Sequence, residues 1–142
     1  MFSRITKILR EYKEWKYLAY HDPLTGVLNR NWLNAQKLSI KNPYVYFIDI
    51  NDLTKVNKLG HTVGDMHIIN VVKSIPQVDG DYLVRYAGDE FILFSNSENL
   101  ISTNKLYSVG MSTNKGDLPN AIMEADIKMI ESKKKFKSIK NE

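Results

Sequence analysis

One segment constrains the fold of this chain more than any other: the run Tyr44–Ile50 is apolar at six of its seven positions. Short runs rich in β-branched and aromatic residues, without alternation, are typical of a strand that is buried on both faces of a sheet. The exception is Asp49, a carboxylate near the end of that strand. The sequence therefore predicts one domain built around a central strand, and 142 residues are enough to bury a core around it.

Helical periodicity and turn signals divide the chain into elements in the order α, α, β, α, β-hairpin, β, α. Thr62-Val63-Gly64-Asp65 has the form of a capping box, which predicts the start of the third helix, and Asp117 is suited to cap the last one. Helices are expected at 2–19 and 29–38, and strands at 44–50, 82–86, 91–94 and 105–112. This order predicts an α+β sandwich of helices against an antiparallel-containing sheet.

Composition excludes several classes of protein. The chain has no cysteine, which rules out disulfides, thiolate zinc sites and cysteine nucleophiles. Its longest apolar run is far shorter than the roughly 20 residues of a membrane span. The charged N-terminal segment also lacks the apolar core of a signal peptide. We therefore expect a soluble, cytoplasmic domain with no membrane partner.

The net charge of +4 is concentrated in lysines near the C-terminus. Lys133 and Lys137 are four residues apart, so on a helix they share one face and can contact the same polyphosphate. An ordinary solvated basic helix end is the alternative.

The first 20 residues have a pattern of their own. Apolar side chains recur at alternating spacings of three and four residues, at Ile5, Ile8, Tyr12, Trp15 and Ala19. This pattern predicts a helix with one apolar seam. Such a short helix needs a partner, either its own domain or a second copy of the chain. We treat residues 1–20 as a leader helix and a candidate for dimerisation, and 21–142 as the domain.

Three acidic residues stand at predicted strand ends. Asp49 lies at the end of the central strand, and Asp89 and Glu90 lie in the hairpin turn. Sequential strands usually lie side by side, so these carboxylates are expected to converge at one edge of the sheet. Three hard oxygen ligands in one place favour Mg²⁺ or Mn²⁺, which recruit substrate phosphates. Solvated turn acids are the alternative for each residue taken singly.

Five short motifs follow one another from Asp22 onward. Residues 22–30 read DPLTGVLNR, similar to D-x-L-T-G-L-x-N-R. Residues 49–65 have the spacing of D-x-D-x-F-K-x-x-N-D-x-x-G-H-x-x-G-D, and RYAGDEF at 85–91 is similar to R-x-G-G-D-E-F. SVGM at 108–111 and ADIKMIESK at 125–133 are similar to S-I-G-I and A-D-x-A-L-Y-x-A-K. Together these motifs resemble those of GGDEF domains, the diguanylate cyclases.

The resemblance implies a palm-like nucleotidyl-cyclase fold and a reaction that condenses two GTP into cyclic di-GMP and pyrophosphate. It implies two divalent ions per site, Mg²⁺ or Mn²⁺, bound by Asp49, Asp89 and the backbone carbonyl of Ile50. Glu90 would assist deprotonation of the attacking 3′-hydroxyl. The implied catalytic residues are thus Asp49, Asp89 and Glu90.

The resemblance also implies the substrate contacts. Asn57 and Asp65 fall where the family reads the guanine edge, and a carboxylate there could accept from two guanine N–H groups. The backbone at Asp52 and Leu53 and the side chains of Lys133 and Lys137 would contact the phosphates. Gly88, in the hairpin turn, would lie beside the nucleotide.

The chain departs from the family pattern at several positions. Ala87 replaces the first glycine of the signature, and if that position needs a positive φ, alanine costs roughly 1 kcal/mol. Asn51 stands where a second aspartate is common. Leu53-Thr54 stands where Phe-Lys is common, so a phosphate-contacting lysine is missing unless the neighbouring Lys55 substitutes for it. The regulatory R-x-x-D site reads VDGD at 78–81, so product feedback inhibition is not expected. The chain also lacks the helix that family members generally carry after the hairpin.

This pared-down chain is similar to the stand-alone minimal CRISPR polymerases, palm-domain relatives proposed to make cyclic nucleotide signals in anti-phage defence. A homodimer is expected, because each palm holds one nucleotide and each 3′-hydroxyl must attack the other's α-phosphate. Nucleoside triphosphates, GTP before ATP, are the expected small-molecule partners, and no nucleic-acid partner is expected. Two alternatives stay open: a synthase of an adenine-containing cyclic dinucleotide, and a degenerate module that binds a nucleotide without turnover.

Overall fold

The computed structural model describes residues 2–140; residue 1 of the expected leader and residues 141 and 142 of the expected domain lie outside the described residues. Within 2–140, helices and strands follow the chain as α1 Phe2–Tyr20, α2 Arg30–Gln36, β1 Tyr44–Ile50, α3 Leu53–Asn57, α4 His61–Ser74, β2 Tyr82–Ala87, β3 Glu90–Ser95, β4 Tyr107–Thr113 and α5 Leu118–Lys140.

The four strands form one antiparallel sheet in the order β2-β3-β1-β4. β1 lies between two neighbours and is buried from Val45 to Ile50, which confirms the predicted central strand. β2 and β3 form the predicted hairpin, with Gly88 and Asp89 between them. Helices cover both faces of the sheet, so the α+β sandwich is confirmed.

Each face of the sheet has its own apolar core, because side chains along a strand alternate between the two faces. α4 covers one face, where it packs with Ile48 and Ile50 of β1. α5 and α2 cover the other face, where they pack with Phe47. Asp49 lies two residues after Phe47, so its side chain belongs to the face that α5 covers.

α5 approaches β4 closely because of a glycine. A Cβ atom on Gly110 would lie 2.1 Å from the carbonyl oxygen of Ala125 and 2.1 Å from the amide nitrogen of Met129. No side chain fits in that space, so Gly110 lets the helix backbone lie directly on the strand. This contact fixes α5 over the sheet, and Lys133, one turn beyond Met129, reaches the end of β1.

Several local details differ from expectation. Thr62 does not cap α4: the helix begins at His61 and its N-cap is Gly60, whose φ of 128° suits glycine. The short α3 directly after β1 has too few residues to show a periodicity in the sequence. β4 begins at Tyr107, two residues later than predicted. The cap at Asp117 is confirmed, since its Oδ1 accepts a hydrogen bond from a backbone N–H of the first turn of α5.

α1 is the predicted leader helix, and its apolar seam is uncovered. Tyr12 is 64 % exposed and Trp15 is 77 % exposed. The C-terminal end of α1 is tied to the domain, because Asn29 donates from its side chain to the carbonyl of Ala19 and from its backbone to that of Tyr20. Within 2–140 the domain itself does not bury the seam, and pairing with a second copy stays a prediction. Among the described helices, none has the length and apolarity to cross a membrane.

Candidate active site

The three predicted acidic residues meet at one end of the sheet. In the antiparallel pair of β1 and β3, Asp49 lies directly opposite Glu90, so both side chains lie on the face that α5 covers. The backbone N–H of Ile50 donates to the carbonyl oxygen of Asp89 at 2.9 Å. The strand register thus brings the hairpin turn against the end of the central strand.

Asp49 is buried and only half satisfied. Its Oδ2 accepts a hydrogen bond from Nζ of Lys133 at 2.6 Å. Its Oδ1 is buried without a hydrogen-bond partner among the described residues. Burial raises the pKa of Asp49, the Lys133 hydrogen bond lowers it, and the Asp89 charge raises it, so the net pKa lies above the ordinary value. The carboxylate therefore contacts one cation and has an oxygen free for another.

Glu90 lies in an acidic environment. Burial raises its pKa, and the charges of the two neighbouring aspartates and of Asp126 raise it further, while Arg30 lowers it. The guanidinium of Arg30 lies 4.1 Å from the centroid of the Tyr86 ring and donates to its hydroxyl at 3.1 Å. No pattern in the sequence singles out Arg30 or Asp126, although each lies within a motif already quoted.

The donors at this site fit a divalent metal ion. The unpaired oxygen of Asp49, the carboxylate of Asp89 and the backbone of Ile50, which lines the same cavity, supply hard oxygen atoms. Within 2–140, no group of three or more acidic, histidine or cysteine side chains is arranged to hold a metal ion. The metal ligands that the family resemblance implies are two carboxylates, those of Asp49 and Asp89, and the backbone carbonyl of Ile50, and this set stays a prediction. Mg²⁺ usually completes such a set with water and phosphate.

A cavity of about 330 Å³ opens beside these carboxylates. Its walls come from the β1–α3 segment, α3, the turn before β4 and the last turns of α5. Asp52, at the start of this wall, has a φ of 60°, which is uncommon for a residue other than glycine. The lining includes two aspartates and six lysines, and every predicted phosphate contact is among the lining residues Asp52, Leu53, Lys133 and Lys137. A positively charged cavity of this size suits a polyphosphate.

The two predicted base-reading residues lie beside the cavity without lining it. Asn57 ends α3, Asp65 lies in the first turns of α4, and both are exposed. Gly64 brings them together, because a Cβ atom there would lie 1.8 Å from Oδ1 of Asn57. The Asn57 amide therefore packs directly on the backbone of α4, next to Asp65.

Comparison with known proteins decides the family. The family described as "Diguanylate cyclase, GGDEF domain" matches residues 19–115. This chain belongs to the GGDEF family. The matched range contains the first four quoted motifs with Asp49, Asp89 and Glu90, and it ends before α5. The predicted resemblance is confirmed.

Curated relatives of this GGDEF domain are longer proteins. It is 42 % identical over 85 residues to "Probable diguanylate cyclase DgcT" of Escherichia coli (strain K12), covering 54 % of this chain and 19 % of that protein. It is 32 % identical over 106 residues to "Signaling protein YkoW" of Bacillus subtilis (strain 168), covering 67 % of this chain and 13 % of that protein. A further relative, at 30 % identity over 66 % of this chain and 14 % of that protein, is "Cyclic di-GMP phosphodiesterase NbdA" of Pseudomonas aeruginosa. The chain thus spans a minor part of each relative.

Solved structures show the same fold. The coiled coil and GGDEF domain of DgcB from Caulobacter crescentus, in complex with c-di-GMP, matches with a TM-score of 0.75 over 94 % of this chain and 90 % of that chain, at 16 % identity. Diguanylate cyclase SiaD from Pseudomonas aeruginosa matches with a TM-score of 0.68 over 94 % of this chain and 65 % of that chain, at 19 % identity. The predicted palm-like nucleotidyl-cyclase fold is confirmed.

The signature hairpin of this GGDEF domain is braced by Arg85. Its Nε and Nη2 donate to the carbonyl oxygen of Gly88 at 3.1 and 2.7 Å, and its Nη1 donates to both carboxylate oxygens of Asp22 at 3.2 Å. Burial raises the pKa of Asp22, but hydrogen bonds from Thr25 and the Arg85 charge lower it more, so this carboxyl titrates below its usual range. Asp22, in the motif at 22–30, thus helps Arg85 to hold the signature hairpin of the motif at 85–91 in place.

The alanine in the signature is not strained. Within 2–140 the non-glycine residues with positive φ are Asp52 and Asn99, so the penalty considered for Ala87 does not arise. Gly88 is also outside the positive-φ set, and a Cβ atom on it would meet nothing within 4 Å. The fold does not require glycine at 88, and the space beside Asp89 stays open to a substrate.

Proposed function

We propose that this GGDEF domain is a metal-dependent nucleotidyltransferase that condenses two GTP molecules into cyclic di-GMP and releases two pyrophosphates. One observation carries the proposal: Asp49 presents an unpaired buried carboxylate oxygen next to Asp89, at the edge of a lysine-lined cavity. Carboxylates repel phosphate and lysines attract it, so their presence in one place is explained when a metal ion lies between acid and phosphate.

Mg²⁺ or Mn²⁺, two ions per site, would be held by the carboxylates of Asp49 and Asp89 and the carbonyl of Ile50. Such ions lower the pKa of a bound hydroxyl and neutralise a leaving pyrophosphate. Lys133, whose Nζ lies 2.6 Å from Oδ2 of Asp49 and which also lines the cavity, would contact phosphate when a metal ion is bound to that carboxylate.

Glu90 is the proton acceptor in this proposal. Its pKa is raised by burial and by neighbouring acids, which brings it nearer to the working pH, where a general base is most effective. The 3′-oxygen of one nucleotide, losing its proton toward Glu90, bonds to the α-phosphorus of the other, and the bond from that phosphorus to pyrophosphate breaks. The same exchange in the opposite direction closes the ring.

Lys133 and Lys137 hold the triphosphate in this scheme, together with backbone N–H groups at Asp52 and Leu53. All four residues line the cavity. The two lysines lie one turn apart on α5, so both can contact one triphosphate chain.

Asn57 and Asp65 read the base. Asn57 packs on Gly64, the residue before Asp65, and its neighbour Lys58 lines the cavity. A carboxylate there accepts from two N–H donors on the guanine edge, and adenine lacks that donor pair. Gly88 leaves room for the nucleotide at the hairpin turn.

The reaction requires two copies of the domain, because each site holds one of the two nucleotides. The exposed seam of α1, with Tyr12 and Trp15, provides a surface for pairing in a homodimer. The coiled coil and GGDEF domain of DgcB match 94 % of this chain. Since GTP is an intracellular metabolite, the proposal places the domain in the cytoplasm.

The test is to incubate the protein with Mg²⁺ or Mn²⁺ and each nucleoside triphosphate, singly and in mixtures, and to identify products by mass spectrometry. Cyclic di-GMP from GTP alone supports the proposal, provided that the Asp49→Asn variant makes none. An adenine-containing cyclic dinucleotide would instead support the defence-type synthase. Nucleotide binding without any product would identify a degenerate module.

A further inference from the structure

A tight turn of four residues stands between the hairpin region and β4. The side chain of Asn104 accepts from the backbone N–H groups of Leu106 and Tyr107 at 2.8 and 3.0 Å, and its own N–H donates to the carbonyl of Tyr107 at 2.9 Å. Lys105 lies at the tip of this turn. Its backbone is therefore held in a defined position, although its side chain is exposed.

Asn51 ties this turn to the end of β1. Its Nδ2 donates to the carbonyl oxygens of Asn104 and Lys105 at 3.0 and 3.3 Å, and its Oδ1 accepts from the hydroxyl of Ser108 at 2.8 Å. Its backbone N–H also donates to the carbonyl of Leu106 at 2.9 Å. A carboxylate cannot donate, so aspartate in this place would set a negative oxygen against two carbonyl oxygens. The amide at position 51 is therefore matched to the turn.

The turn brings Lys105 to the same cavity as the metal donors. Lys105 lines it together with Ile50 and Asp89, on a wall separate from α5, which supplies Lys133 and Lys137. Within 2–140, Lys105 forms no ion pair, whereas Lys133 is paired with Asp49. A lysine that is fixed at its backbone and free at its ammonium, facing a cavity built for anions, is placed to bind phosphate.

We propose that Lys105 is a phosphate-binding residue for the nucleoside triphosphate and that Asn51 is its positioning residue. The inference rests on the proposed function in that the cavity takes a nucleotide. Lys105 contacts the triphosphate from the β4 side while the α5 lysines contact it from the opposite wall, so the phosphates are held between two elements.

Lys115 offers a matched control. It lies in the turn just after β4, as Lys105 lies in the turn just before it, and it is exposed at the opposite end of the same strand. Lys105→Met and Lys115→Met therefore remove the same charge from similar turns. Only the first variant removes it from the cavity.

The experiment is calorimetric titration of the full chain, with Mg²⁺, using a GTP analogue whose α,β-bridging oxygen is replaced by methylene. This analogue cannot release pyrophosphate, so binding is measured without turnover. We expect Lys105→Met to weaken analogue binding about tenfold, the effect of losing one charge-assisted hydrogen bond. GMP, which lacks the outer phosphates, should lose less than about threefold, and Lys115→Met should bind both ligands as the unaltered protein does. Equal analogue affinity in the two lysine variants overturns the proposal.

The role of Asn51 is tested by introducing Asn51→Ala into the unaltered protein and into the Lys105→Met variant. We expect it to weaken analogue binding in the unaltered protein and to have little further effect when Lys105→Met is already present, because it acts through that lysine. A merely structural role would weaken GMP and analogue alike and would add fully to Lys105→Met. Additive losses therefore overturn the positioning role.

The outcomes separate this inference from the proposed reaction. A loss of analogue binding in Lys105→Met, in a protein that yields no cyclic product, keeps the inference and removes the cyclase proposal. If the protein makes cyclic di-GMP and Lys105→Met binds the analogue as tightly as the unaltered protein does, the proposed reaction stands and the inference about Lys105 is overturned. If the unaltered chain binds no nucleotide, both are overturned.

Discussion

The contact between Lys133 and Asp49 gives the most detailed prediction. Replacing Lys133 with methionine keeps the apolar stem of the side chain and removes the ammonium. The Asp49 carboxylate then loses its hydrogen-bonded cation while its other oxygen already lacks a partner. The variant tests whether the Lys133 ammonium stabilises the buried charge of Asp49 when no metal ion is bound.

The magnitude follows from the burial of the pair. Removing one partner of a fully buried ion pair costs about 3–5 kcal/mol, because the other charge stays buried and uncompensated. The Asp49 side chain is 12 % exposed and the Lys133 side chain 30 % exposed, so water replaces part of the lost interaction. We expect Lys133→Met to lower the free energy of unfolding by about 2 kcal/mol at pH 7 without metal.

The loss should depend on pH. The pKa of Asp49 is already raised, with burial the largest cause, and it rises further without the hydrogen bond from Lys133. A carboxyl whose pKa is higher in the folded than in the unfolded state destabilises the fold when it is charged. The deficit is therefore largest at neutral pH and shrinks as the pH falls toward the ordinary pKa of aspartate, where a proton neutralises the group.

The assay is urea unfolding followed by circular dichroism, at pH 7 and at pH 4, with and without Mg²⁺. Lys137→Met is the control, because Lys137 lines the same cavity and forms no ion pair among residues 2–140. We expect added Mg²⁺ to stabilise Lys133→Met more than it stabilises the unaltered protein. Equal stability of the two lysine variants at pH 7, together with equal responses to Mg²⁺, would show that Lys133 does not compensate the Asp49 charge.

Four other predictions follow from other parts of the structure. Asp22→Asn should lower the free energy of unfolding by about 1–2 kcal/mol at pH 7, and the difference should vanish near pH 2. The pKa of Asp22 is lower in the folded than in the unfolded state, so its carboxylate stabilises the fold above the unfolded pKa. This stabilisation is lost as the pH falls through the folded pKa, and urea unfolding across that pH range measures the loss. Gly110→Ala should destabilise the domain by about 3 kcal/mol or more. Gly88→Ala should change stability by less than about 0.5 kcal/mol while reducing turnover, and a thermal melt with a product assay separates these effects. Glu90→Gln should lower turnover at least about 100-fold and abolish the acid limb of the pH profile, and an unchanged profile would remove Glu90 as the base.

Much of the fold was predictable because its determinants are local. The apolar run Tyr44–Ile50 indicated the central strand, and the turn residues after Ala87 indicated the hairpin. Features that depend on other elements were not predictable in the same way. The N-cap of α4 is Gly60, which has a positive φ, whereas the capping-box pattern indicated Thr62 as the cap. α3 is too short to show a helical period in the sequence.

The site was predictable as a set of residues but not as a set of contacts. Strand-end acids and α5 lysines could be named from the sequence, and the register of β1 and β3 brings Asp49 and Glu90 together. The ion pair of Lys133 with Asp49 joins residues 84 positions apart and depends on the close approach of α5 at Gly110. No local pattern reports such a contact. The link from Asn51 to the turn before β4 is hidden for the same reason.

In the proposed reaction this site joins two GTP molecules through Asp49 and its neighbours. The most direct test is to quantify cyclic di-GMP and pyrophosphate released from GTP with Mg²⁺, by the unaltered protein and by Asp49→Asn. We expect two pyrophosphates for each cyclic di-GMP from the unaltered protein and neither product from the variant. Equal product formation by Asp49→Asn, or pyrophosphate accompanied only by GMP, would contradict it.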